Sequence, residues 1–244
     1  MYKRQGYDGE LTVKEGEIVG LAGLAGSGRS SVLRTIWGTK PRSDIHLRYL
    51  GEEYKPKNPM YALKKKIAYI SEDRSESGLF FGQPIKETVL MAHRNLQRKL
   101  FVKNKSEDKL LGQIIGEVQI KVPTHECMPE ALSGGNQQKL LFGRWITDEA
   151  KLLLLDEPTR GVDIKTKHEI YQRVRKMVEA NNAGALVVSS ELEELVLMCD
   201  KVLIIRDGHV EDVLTGDRIT ENNMMAEITA SGNTKQQTED NKSV

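Results

Sequence analysis

The chain has little that could cross-link it or carry it through a membrane. It contains 2 cysteines in 244 residues, Cys127 and Cys199, and their spacing fits no metal-binding motif. Two thiols in a chain of this size are typical of a reducing cytosol. No apolar run approaches the roughly 18–20 residues that span a bilayer, and no secretory signal is visible. We therefore expect any role at a membrane to be peripheral.

A large excess of charge of one sign is also lacking. The chain carries 36 Lys and Arg against 35 Asp and Glu, which leaves a net charge of +1. This balance provides no bulk attraction for DNA or RNA, so nucleic acid is not an expected partner. A chain of this length buries roughly 70–75% of its unfolded surface, which is enough for a substantial core.

A buried strand with two carboxylates at its end is the central feature that is present. Residues 152–155 are all leucine, and an apolar run without alternation is typical of a strand buried on both faces of a parallel sheet. Asp156 and Glu157 follow directly, at the edge where open α/β sheets bind ligands. One carboxylate can hold hydrated Mg²⁺, and the next can orient a water molecule.

Two glycine-rich segments are suited to binding phosphate. Strand 17–22 leads into the loop 23–30, and the pattern predicts a helix over 31–37 that ends at Gly38. Glycines let backbone N–H groups approach phosphates, and the helix dipole favours their negative charge. The sequence Ser-Gly-Gly at 133–135 precedes a second predicted helix, 135–146, whose first N–H groups are free for an anion.

Together these motifs resemble the ATP-binding cassette (ABC) ATPases over about residues 10–225. LSGGNQQK at 132–139 and DEPTRGVD at 156–163 resemble one branch in particular, the sugar-importer ATPases with two cassettes in one polypeptide, and within it the second, C-terminal cassette. The resemblance implies an α/β fold of P-loop NTPase type. It would be an ABC-type nucleotide-binding domain with a mostly parallel core sheet, antiparallel edge strands and a helical subdomain at about 84–147 that touches the permease.

The resemblance also implies the cofactors, ATP and Mg²⁺, and assigns residues to them. The catalytic residues would be Glu157, Glu72 and Ser190, and the metal ligands would be Ser30, Asp156 and Glu72. Nucleotide contacts would come from Gly23, Gly26, Ser27, Gly28, Arg29, Ser30, Ser31, Ser133, Gly134, Gly135, Gln137 and Asp163. Within that set, residues 133–135 would act in trans, closing over the γ-phosphate of ATP held by a partner cassette and sealing out water.

Three positions depart from the usual family pattern. Arg29 occupies the lysine position of the motif G-x-x-x-x-G-K-S/T, and a planar guanidinium is not equivalent to a compact ammonium. Glu72 stands where related cassettes carry a glutamine, although an acidic surface turn is the alternative interpretation. Ser190 stands where they carry a histidine, and none of the chain's 5 histidines lies there. We expect ATP to bind at this degenerate site with impaired hydrolysis.

Periodicity predicts the remaining elements. Strands are expected at 11–14, 67–70, 185–188, 201–205 and 210–214, with edge strands and a short helix within 39–66; helices are expected at 85–96, 107–118, 164–179 and 217–228. Asp163 should cap the helix that follows it. The basic run Arg94, Arg98, Lys99, Lys103 and Lys105 is expected to be a solvated face, with proximity to a membrane surface or permease as the alternative.

The ends of the chain differ from its middle. Residues 1–5 match the translation of the end of a transposon-based sequencing adapter, so we expect a non-native artefact with the gene continuing upstream; a natural basic N-terminus is the alternative. The cassette itself would span 6–230, and 231–244 should form a disordered tail. Tyr7 is a weak candidate for stacking on adenine, and its interpretation as a surface residue is favoured.

By resemblance, the function is that of an ATPase module powering import of a monosaccharide. Its partners would be another cassette, membrane permease subunits and, indirectly, an extracytoplasmic sugar-binding protein, at the cytoplasmic face of the cell membrane. Two alternatives stay open: an ABC ATPase of translation or DNA maintenance, and a nucleotide-binding interaction module without hydrolysis. The sequence does not identify the sugar.

Overall fold

The structure is a computed structural model that describes residues 10–40, 42, 45–74, 78–97, 104–145 and 150–230. The strands are β1 (Ile18–Ala22), β2 (Leu47–Tyr49), β3 (Glu52–Tyr54), β4 (Ile67–Ile70), β5 (Leu152–Asp156), β6 (Gly184–Val188), β7 (Lys201–Arg206) and β8 (His209–Thr215). The helices are α1 (Arg29–Trp37), α2 (Pro59–Lys64), α3 (Ile85–Gln97), α4 (Asn104–Val118), α5 (Gly134–Gly143), α6 (Ile164–Asn181), α7 (Leu192–Met198) and α8 (Glu221–Thr229).

A sheet of 6 strands in the order β4-β5-β6-β1-β7-β8 forms the centre of the fold. The neighbouring strands β4, β5, β6, β1 and β7 pair in parallel, and β8 runs antiparallel to β7 at the edge. A separate antiparallel hairpin is made by β2 and β3. The expected mostly parallel core sheet with antiparallel edge strands is therefore confirmed.

Both faces of the central sheet are buried, as the unalternating apolar runs predicted. On one face Leu21, Leu154 and Leu186 pack with α1 and the β2–β3 hairpin. On the other face Leu153, Leu155 and neighbouring strand residues pack with α3 to α8. The inward residues predicted on the helix after Asp163 are confirmed as buried, namely Ile170, Val174, Met177 and Val178.

Helices α3, α4 and α5 pack on one another beside the sheet. Arg94 on α3 joins α3 to α4, because its guanidinium donates to Glu87 on its own helix at 2.6 Å and to Glu107 on α4 at 2.6 Å. The prediction of a solvated basic face was therefore wrong for Arg94, since its charge is paired with two carboxylates, one of which only helix packing brings close. Lys105 is exposed as expected, and Arg98, Lys99 and Lys103 lie outside the described residues.

Several expected elements differ from the structure in their existence or their bounds. Residues 11–14 do not form a strand, because no strand of the described sheets pairs with them. The helix expected at 217–228 begins only at Glu221, where Thr220 caps α8 by accepting a hydrogen bond from the Asn223 N–H at 3.2 Å. Helix α5 ends at Gly143 rather than 146.

Leu141, Phe142 and Trp145 are nevertheless buried as expected, and Ile146 lies outside the described residues. So do residues 1–5, Tyr7 and 231–244, on which the artefact, adenine-stacking and tail predictions fall. None of the helices that the structure describes combines the length and the apolar character of a membrane-spanning segment.

Candidate functional site

The glycine-rich loop joins β1 to α1 at the carboxyl edge of the parallel strands. A Cβ atom on Gly23 would lie 2.2 Å from the carbonyl oxygen of Ile205, so only glycine fits this close approach of two backbones. Gly28 is the N-cap of α1 with φ 97°, a left-handed conformation that glycine adopts without strain. Helix α1 therefore starts at Arg29, two residues before the predicted start, and it presents an N-terminus with no side-chain cap.

Ser30 and Asp156, the two expected magnesium ligands, are in direct contact. The Ser30 hydroxyl donates to Asp156 Oδ1 at 2.7 Å, and the Tyr69 hydroxyl donates to Asp156 Oδ2 at 3.1 Å. The Asp156 side chain is fully buried, and this burial raises the pKa of its carboxyl above the ordinary value, although the two hydrogen bonds oppose the rise. A hydroxyl beside a carboxylate is a suitable donor set for Mg²⁺.

The loop itself also fits a phosphate ligand. The Ser27 hydroxyl oxygen is buried without a hydrogen-bond partner among the described residues, which is unusual for a native structure. It lies in the segment where uncapped N–H groups of α1 and a glycine-lined backbone can approach an anion. The residues present therefore fit ATP phosphates and Mg²⁺. When bound, Mg²⁺ would supply positive charge and Lewis acidity to the site.

Arg29 is turned toward the end of β6. Its guanidinium donates to the carbonyl oxygen of Ser189 at 2.8 Å, and burial lowers its pKa while the nearby carboxylates of Glu157 and Asp156 oppose this. The next residue, Ser190, donates from its hydroxyl to Glu157 Oε2 at 3.0 Å. The structure thus brings Arg29, Glu157 and Ser190 together at the ends of α1, β5 and β6.

Glu72 lies after β4 and pairs with Arg160, whose guanidinium hydrogen-bonds to its carboxylate. Arg160 belongs to the turn that follows Glu157, so this ion pair joins the segment after β4 to the segment after β5. The carboxylate of Glu72 is near enough to Asp156 to help raise the pKa of that group.

A buried carboxylate that the sequence analysis missed connects the segment after β5 to the segment after β6. Glu194 on α7 is 2% exposed, and it accepts a hydrogen bond from the Thr159 hydroxyl at 2.8 Å and another from the Ser189 hydroxyl. Thr159 follows Glu157 by two positions, and Ser189 precedes Ser190. Helical spacing contained a signal for this burial, since Glu194 lies four residues before the buried Met198 on the same helix face.

The Ser-Gly-Gly segment forms the exposed N-terminus of α5. Ser133 is the N-cap and accepts a hydrogen bond from the Asn136 N–H at 3.5 Å. Arg74 was not predicted to be near it, yet Arg74 donates to the Gly134 carbonyl at 2.9 Å. Gly134 also lies against the turn after β5, because a Cβ on it would be 3.2 Å from the Gly161 carbonyl oxygen.

Two further expected nucleotide contacts have partners within the chain. The Gln137 amide donates to the Pro129 carbonyl at 3.0 Å. Asp163 caps α6, as predicted, by accepting from the Thr166 N–H at 3.0 Å and from the Thr166 hydroxyl at 2.8 Å. Their roles toward a nucleotide, like those of Gly26, Ser31 and Gly135, stay predictions.

A strand, glycine loop and helix at the carboxyl edge of a parallel sheet, with a serine against a buried aspartate, define the class of P-loop nucleotide-binding proteins. A family model described as ABC transporter matches residues 8–160, which is more than half of the chain. The chain therefore belongs to the ABC transporter family, as an ATP-binding domain.

Sequence relatives are named as sugar-import proteins. The chain is 37% identical over 215 residues to the ribose import ATP-binding protein RbsA of Bacillus cereus, covering 88% of this chain and 43% of that one. It is 33% identical over 221 residues to the galactose/methyl galactoside import ATP-binding protein MglA of Vibrio vulnificus, covering 89% and 44%. The chain thus spans less than half the length of these relatives.

Solved structures of more distant cassettes share the fold. The ABC cassette MJ0796 in a dimeric state bound to ADP and Pi superposes with a TM-score of 0.74 at 22% identity, covering 84% of this chain and 88% of that one. The cassette MJ1267 superposes with a TM-score of 0.76 at 17% identity, covering 94% of each chain. At these identities the likeness shows the fold, and the ABC cassette architecture expected from the motifs is confirmed.

Proposed function

We propose that this chain is the C-terminal cassette of a two-cassette ATPase that energises the import of a monosaccharide. Its own site binds Mg-ATP and hydrolyses it slowly, and its Ser133–Gly135 tip completes the site of the partner cassette. The observation that carries the proposal is the contrast between two parts of the molecule. Arg29 on the phosphate loop and Ser190 after β6 replace the usual groups of the chain's own ATP site. The helix that begins in the LSGGNQQK motif (α5, the signature helix) and the Asp156–Glu157 pair have the expected form.

The relatives support the direction of transport and the arrangement in one polypeptide. They are named as ribose and galactose import proteins, and each is more than twice as long as the part that this chain matches. A second cassette in the same polypeptide is therefore the proposed partner. Membrane permease subunits would bind the two cassettes, and a sugar-binding protein would act through the permease. The complex would hold this chain at the cytoplasmic face of the membrane.

The residues have separate tasks in this mechanism. Ser30 and Asp156 would hold Mg²⁺, which would supply positive charge beside the phosphates, and the N–H groups of the loop and α1 would hold the phosphates. Glu157 orients a water molecule for attack on the terminal phosphate. In related cassettes an imidazole at the position of Ser190 contacts that phosphate, and a serine hydroxyl that already bonds to Glu157 replaces it poorly.

The test compares ATP binding with turnover. The purified chain should bind Mg-ATP in a calorimetric titration and show little steady-state hydrolysis. Adding a first cassette with an intact phosphate-loop lysine should stimulate hydrolysis. Changing the glutamate of that cassette that corresponds to Glu157 into glutamine should abolish the activity, while Glu157→Gln in this chain should reduce it only partly. Robust hydrolysis by this chain alone that Ser190→Ala abolishes would contradict a degenerate site. ATP binding with no stimulation of any first cassette would instead favour a nucleotide-binding module without hydrolysis.

A further inference from the structure

Tyr69 lies on β4 and reaches the fully buried Asp156 at the end of the neighbouring strand, β5. The two strands pair in parallel with Tyr69 opposite Leu154 and Ile70 opposite Leu155, so the tyrosine precedes the end of its strand while Asp156 ends β5. The Tyr69 hydroxyl donates to Asp156 Oδ2 at 3.1 Å, and the Ser30 hydroxyl donates to Oδ1 at 2.7 Å. The two oxygens of one carboxylate are thus held from opposite sides.

The Tyr69 ring is itself fixed by aromatic packing. Trp37, the last residue of α1, stacks on it with ring centroids 5.7 Å apart and planes at 29°. Trp145 packs edge-on against Trp37 at 6.0 Å. The packing of Trp37 and Trp145 therefore fixes the position of the Tyr69 ring and of its hydroxyl.

A cation also approaches Asp156 Oδ2. Arg34 on α1 lies 3.9 Å from Asp156 Oδ2 and hydrogen-bonds to Tyr69. Its side chain is 45% exposed, so solvent weakens this ion pair. Tyr69 is the donor at hydrogen-bond distance from Oδ2. A donor fixed at this oxygen restricts rotation of the Asp156 carboxylate about its Cβ–Cγ bond.

We infer that Tyr69 is a positioning residue that orients Asp156 for Mg²⁺ and so sets the magnesium dependence of ATP binding. The inference rests on the proposed binding of Mg-ATP at this loop. Ser30 and Oδ1 face the site, and the partner on Oδ2 determines where Oδ1 points. Outer-shell hydrogen bonds of this kind orient metal ligands, and their loss typically weakens metal binding about 10- to 100-fold.

The experiment uses Tyr69→Phe, which removes the hydroxyl and keeps the ring against Trp37. Tyr54→Phe is the matched control, because the Tyr54 hydroxyl donates to the Ile36 carbonyl at 2.9 Å, a similar buried bond on α1 that does not touch Asp156. Binding of a fluorescent ATP analogue by the full chain is titrated against free Mg²⁺, and its affinity is measured separately in EDTA. For Tyr69→Phe we expect the Mg²⁺ concentration that gives half-maximal enhancement of analogue binding to rise about tenfold. The affinity of this variant in EDTA should be unchanged. Tyr54→Phe should behave like the original chain in both measurements.

A double substitution tests whether Tyr69 acts through Asp156. In an Asp156→Asn background, Tyr69→Phe should no longer shift the Mg²⁺ midpoint, because the oriented carboxylate is gone. An unchanged midpoint for Tyr69→Phe in the original background, or an equal shift with Tyr54→Phe, overturns the inference alone. If the unsubstituted chain binds the analogue with no dependence on Mg²⁺, the proposed site fails and the inference fails with it.

Discussion

Arg29 donates a hydrogen bond to the main-chain carbonyl of Ser189 across 2.8 Å, and Ser189 immediately precedes the serine that contacts Glu157. The cation at the phosphate-loop lysine position is therefore hydrogen-bonded to the segment after β6. A guanidinium has five N–H donors, so this bond leaves others for a phosphate. A lysine ammonium is a compact point charge with three donors, and it would have to give up a larger share of them.

This geometry predicts that Arg29 contributes to ATP binding. Arg29→Ala should weaken Mg-ATP binding roughly 10- to 100-fold, because a hydrogen bond to a charged group is worth about 1.5–3 kcal/mol. Arg29→Lys should bind within a few-fold of the original chain, since the positive charge stays. Isothermal titration calorimetry measures both variants. Equal affinity of Arg29→Ala and the original chain would mean that the guanidinium serves only the Ser189 carbonyl.

Restored hydrolysis should require changes at two of the three departures from the family pattern, Arg29 and Ser190. Arg29→Lys alone leaves Ser190 on Glu157, and Ser190→His alone leaves a guanidinium bound to Ser189, so each single variant should hydrolyse ATP as slowly as the original chain. The double variant should be about tenfold faster or more, because the two groups act on one phosphate and are not additive. Steady-state phosphate release decides this. A single variant that recovers the full rate would show that the other position is not a defect.

Ser133 permits a separate test of the signature helix. Asp and Asn cap helices about as well as Ser, so Ser133→Asp and Ser133→Asn should keep the stability of the chain, while Ser133→Ala should lose about 1 kcal/mol. If Ser133 faces the terminal phosphate of the partner's ATP, Ser133→Asp adds a like charge there. It should lower the stimulated hydrolysis of the mixed cassettes about tenfold or more, whereas Ser133→Asn retains most of it. Thermal unfolding and ATPase rates together separate capping from phosphate contact, and normal stimulation by Ser133→Asp would exclude the trans role.

The strands of the central sheet were predictable because burial on both faces produces a strong local pattern. Leu153, Leu154 and Leu155 are each buried, and no polar residue interrupts them. The segment 11–14 alternates apolar and polar residues, as a half-exposed strand does. A strand exists only where a neighbour pairs with it, and the residues themselves do not say whether one is present. Strand prediction from local pattern therefore succeeded for the strands of the central sheet, including its edge strands β4 and β8, and failed for residues 11–14.

The site was predictable where its residues form short motifs and not where tertiary packing joins distant ones. Ser30 and Asp156 meet as the motifs implied, although 126 positions separate them, because glycine loop and acidic strand end each have a recognisable local form. Arg94 was misjudged, and Tyr69 and Arg74 were overlooked, since an isolated tyrosine or arginine has no pattern that names its partner. Their partners follow from how β4, β5 and the helices pack.

Glu194 is the clearest such residue, and its burial has a consequence for stability. Burial raises the pKa of its carboxyl above the ordinary value, while hydrogen bonds from Ser189 and Thr159 oppose the rise. Between the unfolded pKa, about 4.3, and the raised folded pKa, the folded chain binds more protons than the unfolded chain. The free energy of unfolding contributed by this group therefore falls as pH rises through that interval.

Glu194→Gln removes this titration while keeping the shape of the side chain and an oxygen to accept a hydroxyl proton. The free energy of unfolding of the variant minus that of the original chain should therefore increase with pH from about pH 4.3 upward and level off above the folded pKa. Urea unfolding at several pH values between 5 and 8 measures this difference, and the raised pKa of Asp156 cancels because both proteins share it. Glu193→Gln, on the same helix, controls for the loss of one negative charge. A difference that stays constant with pH, or one that Glu193→Gln reproduces, would show that the Glu194 carboxylate keeps its unfolded affinity for protons despite its burial.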